Sequence, residues 1–481
     1  MPKAIRNKGV MGSTGVKRKL RALGAALAVA CAAAALLAPG ASARPGTLDR
    51  GFGGNGRLVL EPRLGSDPQG TVRTSLAALP GGGTILLGAG QLRAFHADGS
   101  RDRDFGGGAV AVAPPPGYRL ELSDVAVDSS GRVLVAGTAF AEGAGGGNGT
   151  VELAFLARYG ADGELDPGFG EDGSVTTALG LPPQKIPDSL KGPPYATPEI
   201  TRIRLKRIEL DKGGNIVLTG SRVKEIAVCR FSFESVTEGF VARLGSDGSP
   251  DPSFGNDGVV PLEDLWLDSA IPSPNGTIYF SAIRGSGEPC SGGSANGATA
   301  PLLGHLTSGG SLDPHFGDGG WISLSAGAVG VLSPPGLAID KGHRLLLFGD
   351  DQVRRFLLDG RADRSFGSRG VVTLQGAREG NLYPADAGVE AGGGTLIART
   401  FKPKPIPHAP PEAFYLSRLT PAGRIDRGFG QGGTVRARFG RGSTADASSL
   451  LVGHGKVTIA GTARGPQLGT KLALARYLLM R

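Results

Sequence analysis

The side chains with chemical potential in this sequence are carboxylates that return inside one recurring phrase. "GELDPGFGEDG" at residues 163–173 comes back as "GSPDPSFGNDG" at 248–258. Written as D-x-x-F-G, the phrase occurs with Asp49 and Phe52, Asp102 and Phe105, Asp166 and Phe169, Asp251 and Phe254, Asp313 and Phe316, Asp363 and Phe366, and Asp426 and Phe429. "DGELD" and "FGEDG" bring enough oxygens together to raise the question of calcium. A calcium loop needs six or more oxygens, commonly from acids at alternate positions. "FGGNG" and "FGQGG" lack those acids, so no metal is expected. A turn uses every residue type in the phrase. The Asp carboxylate accepts backbone N–H groups two or three residues ahead, the Phe buries its ring between sheets, and Gly permits positive φ.

Other reactive side chains are scattered. The histidines at 96, 305, 315, 343, 408 and 454 fall in different repeat units, and no two have ligand spacing. Glu263 with Asp264, and Asp350 with Asp351, are the nearest carboxylate clusters, yet neighbours in sequence point to opposite faces of a strand. G-x-S-x-G, H-E-x-x-H and Walker-type loops do not occur, and "EGAGGGNG" has no Lys to hold a phosphate. No catalytic residue and no cofactor can be assigned from these patterns. An enzyme on this scaffold, of the sugar oxidoreductase or lactonase type, is an alternative to a binding module.

The formal charge is +9, but residues 1–43 hold seven Lys and Arg and no acid, so the basic balance belongs to the leader. The remainder has no concentrated basic run of the kind that neutralises phosphates, which argues against nucleic acid as a partner. The leader itself runs from "KRKLR" through the apolar "ALGAALAVACAAAALLAPG" to "ASA" at 41–43, the three parts of a secretory signal. Export, cleavage before Arg44 and no membrane insertion thereafter are expected, the competing reading being an uncleaved anchor. Cys229 and Cys290 are the cysteines beyond the leader; they form no CxxC and are compatible with one disulfide in an exported chain.

The phrases are spaced like the units of a solenoid, propeller or array. In the second interval "LSDVAVD", "RVLVAGT" and "LAFLARY" read as strands joined by the turns "SSG" and "GADG", and "GSVTTAL" is a fourth strand after Phe-Gly. Four short strands per unit without helical periodicity favour β-propeller blades. The stretch after the leader opens on a fourth-strand segment, "GTLDRGFGGNGRLVL", and closes on a third strand, "LALARYLLM". The two complete one another if the amino-terminal strand closes a ring, which removes the exposed edges of an open array. The expected fold is all-β: a single seven-bladed propeller over residues 44–481.

D-x-x-F-G-x-x-G, the preceding "ADG" and the intervening "VAVDSSGRVLVAG" resemble the delta-60 repeat, a propeller-type repeat of secreted bacterial proteins. The resemblance spans about residues 47–481 and departs from pattern at Ala109 and in "SAIPSPNGTIYFSAI". It implies a fold and a secreted setting, and supplies no catalytic residues.

Loop length is asymmetric. First-to-second and third-to-fourth strand turns are tight ("DSSGR", "HADGS"), whereas the connections at 139–151, 221–238, 284–300 and 400–412, and the inter-unit stretch at 179–200, are long and share one face. Loops on a rigid scaffold concentrate binding residues. The expected function is therefore a monomeric secreted binding or scaffold module that meets a protein or carbohydrate partner with this face. A structural envelope protein is the further alternative.

Overall fold

A computed structural model describes residues 44–61, 73–141, 152–181, 200–229, 232–284, 301–324, 336–349, 352–374, 380–403, 413–465 and 469–480. Among them, seven four-stranded antiparallel sheets form a ring, an all-β seven-bladed propeller. The inner strands of blades one to seven are Thr74–Ala78, Tyr118–Val127, Ile200–Leu210, Leu265–Pro272, Gly336–Ile339, Gly380–Val389 and Thr444–Gly453. Each packs beside the next, and the last packs beside the first. Blade seven takes its outer strand, Arg57–Leu60, from the other end of the sequence; it pairs with Gly469–Leu478 in the register Arg57↔Ala475 to Leu60↔Leu472.

Middle strands are covered by sheets on both sides, which is why they read as nearly continuous apolar runs. Val133–Phe140 and Leu156–Tyr159 are buried throughout. The core is accordingly not central but divided among the layers between blades. One layer joins Phe169 and Leu156 of blade two to Leu218 and Phe240 of blade three. Another joins Phe52 and Leu474 of blade seven to Leu86 and Phe95 of blade one.

The recurring phrase is the fastener of these layers. In all seven copies one carboxylate oxygen of the Asp accepts the N–H two residues on, at 2.9–3.2 Å. All seven Phe rings are 1% exposed or less, each removal from water contributing about 2 kcal/mol. The Gly after Phe donates its N–H to a turn of the next blade, as Gly170 does to Asp247 and Gly367 to Ala422. On that turn Gly248, at φ +89, lies where a Cβ would stand 2.9 Å from Phe169, so a side chain is excluded.

In four copies an arginine eight residues before the Asp completes the arrangement, a residue absent from the sequence pattern; the position is Ala94 before Asp102 and His305 before Asp313. Arg158, Arg243 and Arg355 donate through Nε to Asp166, Asp251 and Asp363 at 2.7, 2.7 and 2.8 Å. Their guanidinium groups lie 4.8, 4.6 and 4.4 Å from the centres of Phe169, Phe254 and Phe366, a cation–π distance. Arg243 and Arg355 also donate to the carbonyls of Ser308 and Pro421 in the following blade, at 2.8 and 2.6 Å. One side chain thus ties Asp, Phe and the neighbouring sheet together.

Residues 221–238, expected as a long connection, are instead mostly strand. Ile216–Cys229 and Ser232–Leu244 pair from Ile216↔Leu244 to Cys229↔Ser232, leaving two residues between them. The Val, Ile, Phe and Thr content of "SRVKEIAVC" and "SFESVTEGF" suits a pleated ribbon better than a loop. Cys229 therefore ends a strand, while Cys290 and the other long connections (142–151, 182–199, 285–300 and 404–412) lie outside the described residues.

Candidate functional site

Five inner strands share an irregularity at one height. Their pairing with the second strand slips between Leu122 and Asp124, Leu205 and Arg207, Leu267 and Ser269, Pro384 and Asp386, and Ala447 and Ser449. Each slip is a β-bulge, which re-aims side chains and is common beside binding sites. The second strand makes room: a Cβ on Gly137 would stand 2.5 Å from the Glu121 carbonyl oxygen.

The bulges line a central channel of about 780 Å³. Counting back from the inner turn, equivalent positions are Ser75, Asp124, Arg207, Ser269, Gly336, Asp386 and Ser449. One residue earlier stand Thr74, Ser123, Lys206, Asp268, Ala385 and Ser448. An edge that elsewhere carries Val and Ala is here polar and charged.

Two of these carboxylates are committed to the ring. Asp124 accepts from Ser75 Oγ at 2.5 Å, from Val125 N at 3.0 Å and from Ile208 N of blade three at 3.1 Å. Asp386 accepts from Ala387 N and from Leu450 N of blade seven, both at 2.9 Å. Each staples its blade to the next at the channel wall. Arg207 reaches from blade three to Asp386 of blade six at 3.5 Å. Those blades are three steps apart, as far as a seven-membered ring allows, so the pair spans the channel.

The electrostatics follow from this crowding. Burial alone would lower the Arg207 pKa, but Asp386, Asp124, Asp268 and Glu209 more than reverse that and hold it charged. Burial raises the Asp124 and Asp386 carboxyls, more than Arg207 and the hydrogen bonds pull them down. Glu209, two residues beyond Arg207, is pushed up to about 7 by burial and by the charges of Asp124 and Asp386, against Arg207. Lys206 is lowered, by burial first and then by Arg73, with Asp268 and Glu121 opposing. Hydroxyls complete the wall: Thr74 Oγ1 lies 2.5 Å from Ser448 Oγ, and Ser123 donates to the Leu205 carbonyl at 2.8 Å.

The residues singled out from sequence do not gather in the channel. The Asp and Phe of each phrase sit between blades. Glu263 ends an outer strand, and Asp264, at φ 57, is the single residue leading into Leu265–Pro272; Asp350 and Asp351 lie outside the described residues. Among the described residues no group of three or more His, Cys, Asp or Glu is placed to hold a metal ion, and no helix is long and apolar enough to cross a membrane. The signal for the channel residues was a polar side chain three positions before six of the seven inner turns, as in "LKRIEL" and "ADAGVE", where the strand pattern alone calls for none.

A family model for a beta-propeller domain of unknown function (DUF5122) matches residues 129–169 and 226–254, both stretches ending on the Phe of the phrase. No curated protein matches the sequence. Among solved structures, a Trypanosoma rangeli sialidase aligns at 10% identity and a TM-score of 0.38, over 92% of this chain and 60% of the sialidase. A subtype N10 neuraminidase-like protein of A/little yellow-shouldered bat/Guatemala/060/2010 aligns at 10% identity and 0.34, over 88% of this chain and 98% of its own. A protein of unknown function from Bacteroides caccae aligns at 12% and 0.31, over 76% and 88%.

Proposed function

We propose that this chain is an exported binding module, built of delta-60-type repeats, which receives a small polar ligand at the channel mouth on the side where the inner strands begin. The observation that supports this is the row of bulges placing Lys206, Arg207, Asp268 and hydroxyls around a channel of about 780 Å³. Charged groups on an inner wall cost desolvation energy that the fold does not need to spend, and a concave site with convergent polar groups is the ordinary form of a ligand pocket. Among the described channel residues an enzymatic reading would rest on Glu209 and Asp268, because Asp124 and Asp386 already spend oxygens on backbone amides.

Two measurements test the proposal. A thermal-shift panel of polar metabolites is expected to yield a stabilising compound whose effect is lost in Ser123→Trp, which fills the channel wall. A panel without any stabilising member argues against the site. For export, mass spectrometry of the extracellular fraction is expected to find a chain starting at Arg44; finding only full-length chain inside the cell contradicts it.

A further inference from the structure

The Arg207–Asp386 pair crosses the channel and divides it. On the side where the inner strands begin stand Lys206, at a bulge of blade three, and Arg73, at the start of blade one. Neither has an ion pair within 4.0 Å among the described residues. Of the carboxylates bearing on Lys206, Glu121 is already engaged by Arg204 at 3.3 Å, which leaves Asp268, and Asp268 bears on Arg207 as well. On the other side Glu209 stands with the carboxylates of Asp124 and Asp386 around the single cation Arg207. The two halves therefore differ in sign, and the outer half carries excess positive charge beside Thr74, Ser123 and Ser448.

We infer, building on the channel as a binding site, that this half takes a small polyol bearing an oxyanion, a sugar acid or a sugar phosphate, with the anion between Lys206 and Arg73 and its hydroxyls toward Asp268 and Ser448. A desolvated ammonium without a partner is unfavourable, and an incoming anion relieves both that loss and the repulsion from Arg73. Asp268 then serves as hydrogen-bond acceptor for a ligand hydroxyl, a role its charge suits. The Arg207–Asp386 pair closes the floor beneath the ligand.

Calorimetric titration with glucuronate, glucose 6-phosphate, glucose and glucosamine tests the assignment. Binding of glucuronate or glucose 6-phosphate is expected, weakening as salt rises, and the tighter of the two identifies the carboxylate or the phosphate as the natural group. Lys206→Met is expected to weaken it by about tenfold or more, while Lys206→Arg keeps it; both variants should melt like the parent. Absence of binding by either anion, or unchanged affinity in Lys206→Met, overturns the inference. Binding of glucose or glucosamine that Ser123→Trp abolishes also overturns it, while leaving the channel as the ligand site.

Discussion

Arg476 holds Asp49 at 2.9 Å through Nε and 2.8 Å through Nη2, although 427 residues separate them in the chain. Lys456 reaches the same carboxylate at 2.9 Å, and the Arg476 guanidinium lies 4.0 Å from the centre of Phe52. The joint between the two ends of the ring is thus made of the same parts as the joints inside it.

Removing one partner of a buried pair leaves the other charge uncompensated, at a cost of about 3 kcal/mol. Asp49→Ala and Asp166→Ala are therefore expected to destabilise by similar amounts, since Asp166 makes the corresponding pair with Arg158. Chemical denaturation of both variants checks this. A much smaller loss for Asp49→Ala would mean that the terminal joint contributes less than the internal ones.

Acid should open the ring through these same groups. Backbone hydrogen bonds and the paired cations lower the Asp166 carboxyl, and in Asp251 and Asp363 hydrogen bonds and an Arg overcome the upward push of burial. Their folded pKa values lie below the ordinary 3.8. The stability they confer is complete above that value and is lost as pH falls through the folded values. Circular dichroism between neutral pH and pH about 2 should place the unfolding midpoint below about 4, and sequential loss well above that range would contradict the assignment.

Gly248→Ala forces a side chain at φ +89 into Phe169, while Gly214→Ala adds one at φ +82 where no atom lies within 4 Å. The first is expected to cost more than the second, whose penalty is the backbone strain of about 1 kcal/mol. Equal melting temperatures for the two variants would show that the turn does not press on the ring.

The seven-bladed fold was legible because the phrase marks each blade once and short strands set off by turn residues recur between phrases. Its fastening was only half legible. Asp, Phe and Gly are neighbours in sequence, but the arginine stands eight residues earlier inside an apolar strand such as "LAFLARY", where it reads as an edge charge. The channel was missed for a different reason. Arg207 and Asp386 lie on different blades, and only closure of the ring brings them together. Residues 221–238 were misread because a long ribbon of mixed polarity resembles a loop when its partner strand is not known to follow at once.

Blade four departs from the common joint and should confer its own pH dependence. His305 occupies the arginine position, with Nδ1 2.9 Å from Asp313, and stacks on Tyr279 at 4.1 Å. The Tyr279 hydroxyl donates to the Leu358 carbonyl of blade five at 3.1 Å, the bond that arginine makes elsewhere. Burial lowers the His305 pKa below 6.5, with Asp313 opposing. Its contribution is complete above that value and declines as pH falls until the folded pKa is reached. The melting temperature of the parent should fall more between neutral pH and pH about 5 than that of His305→Gln; parallel curves would contradict this.

Calorimetry of the chain lacking residues 45–60 tests the ring most directly. This deletion strips blade seven of its outer strand and of Asp49 and Phe52, and bares the strand edge at Leu472 and Leu474. A lowered melting temperature with aggregation is the expected result, because a closed ring loses two of its contacts at once. A truncated protein that stays monomeric and melts with the parent would contradict a ring held by Arg476 and Asp49.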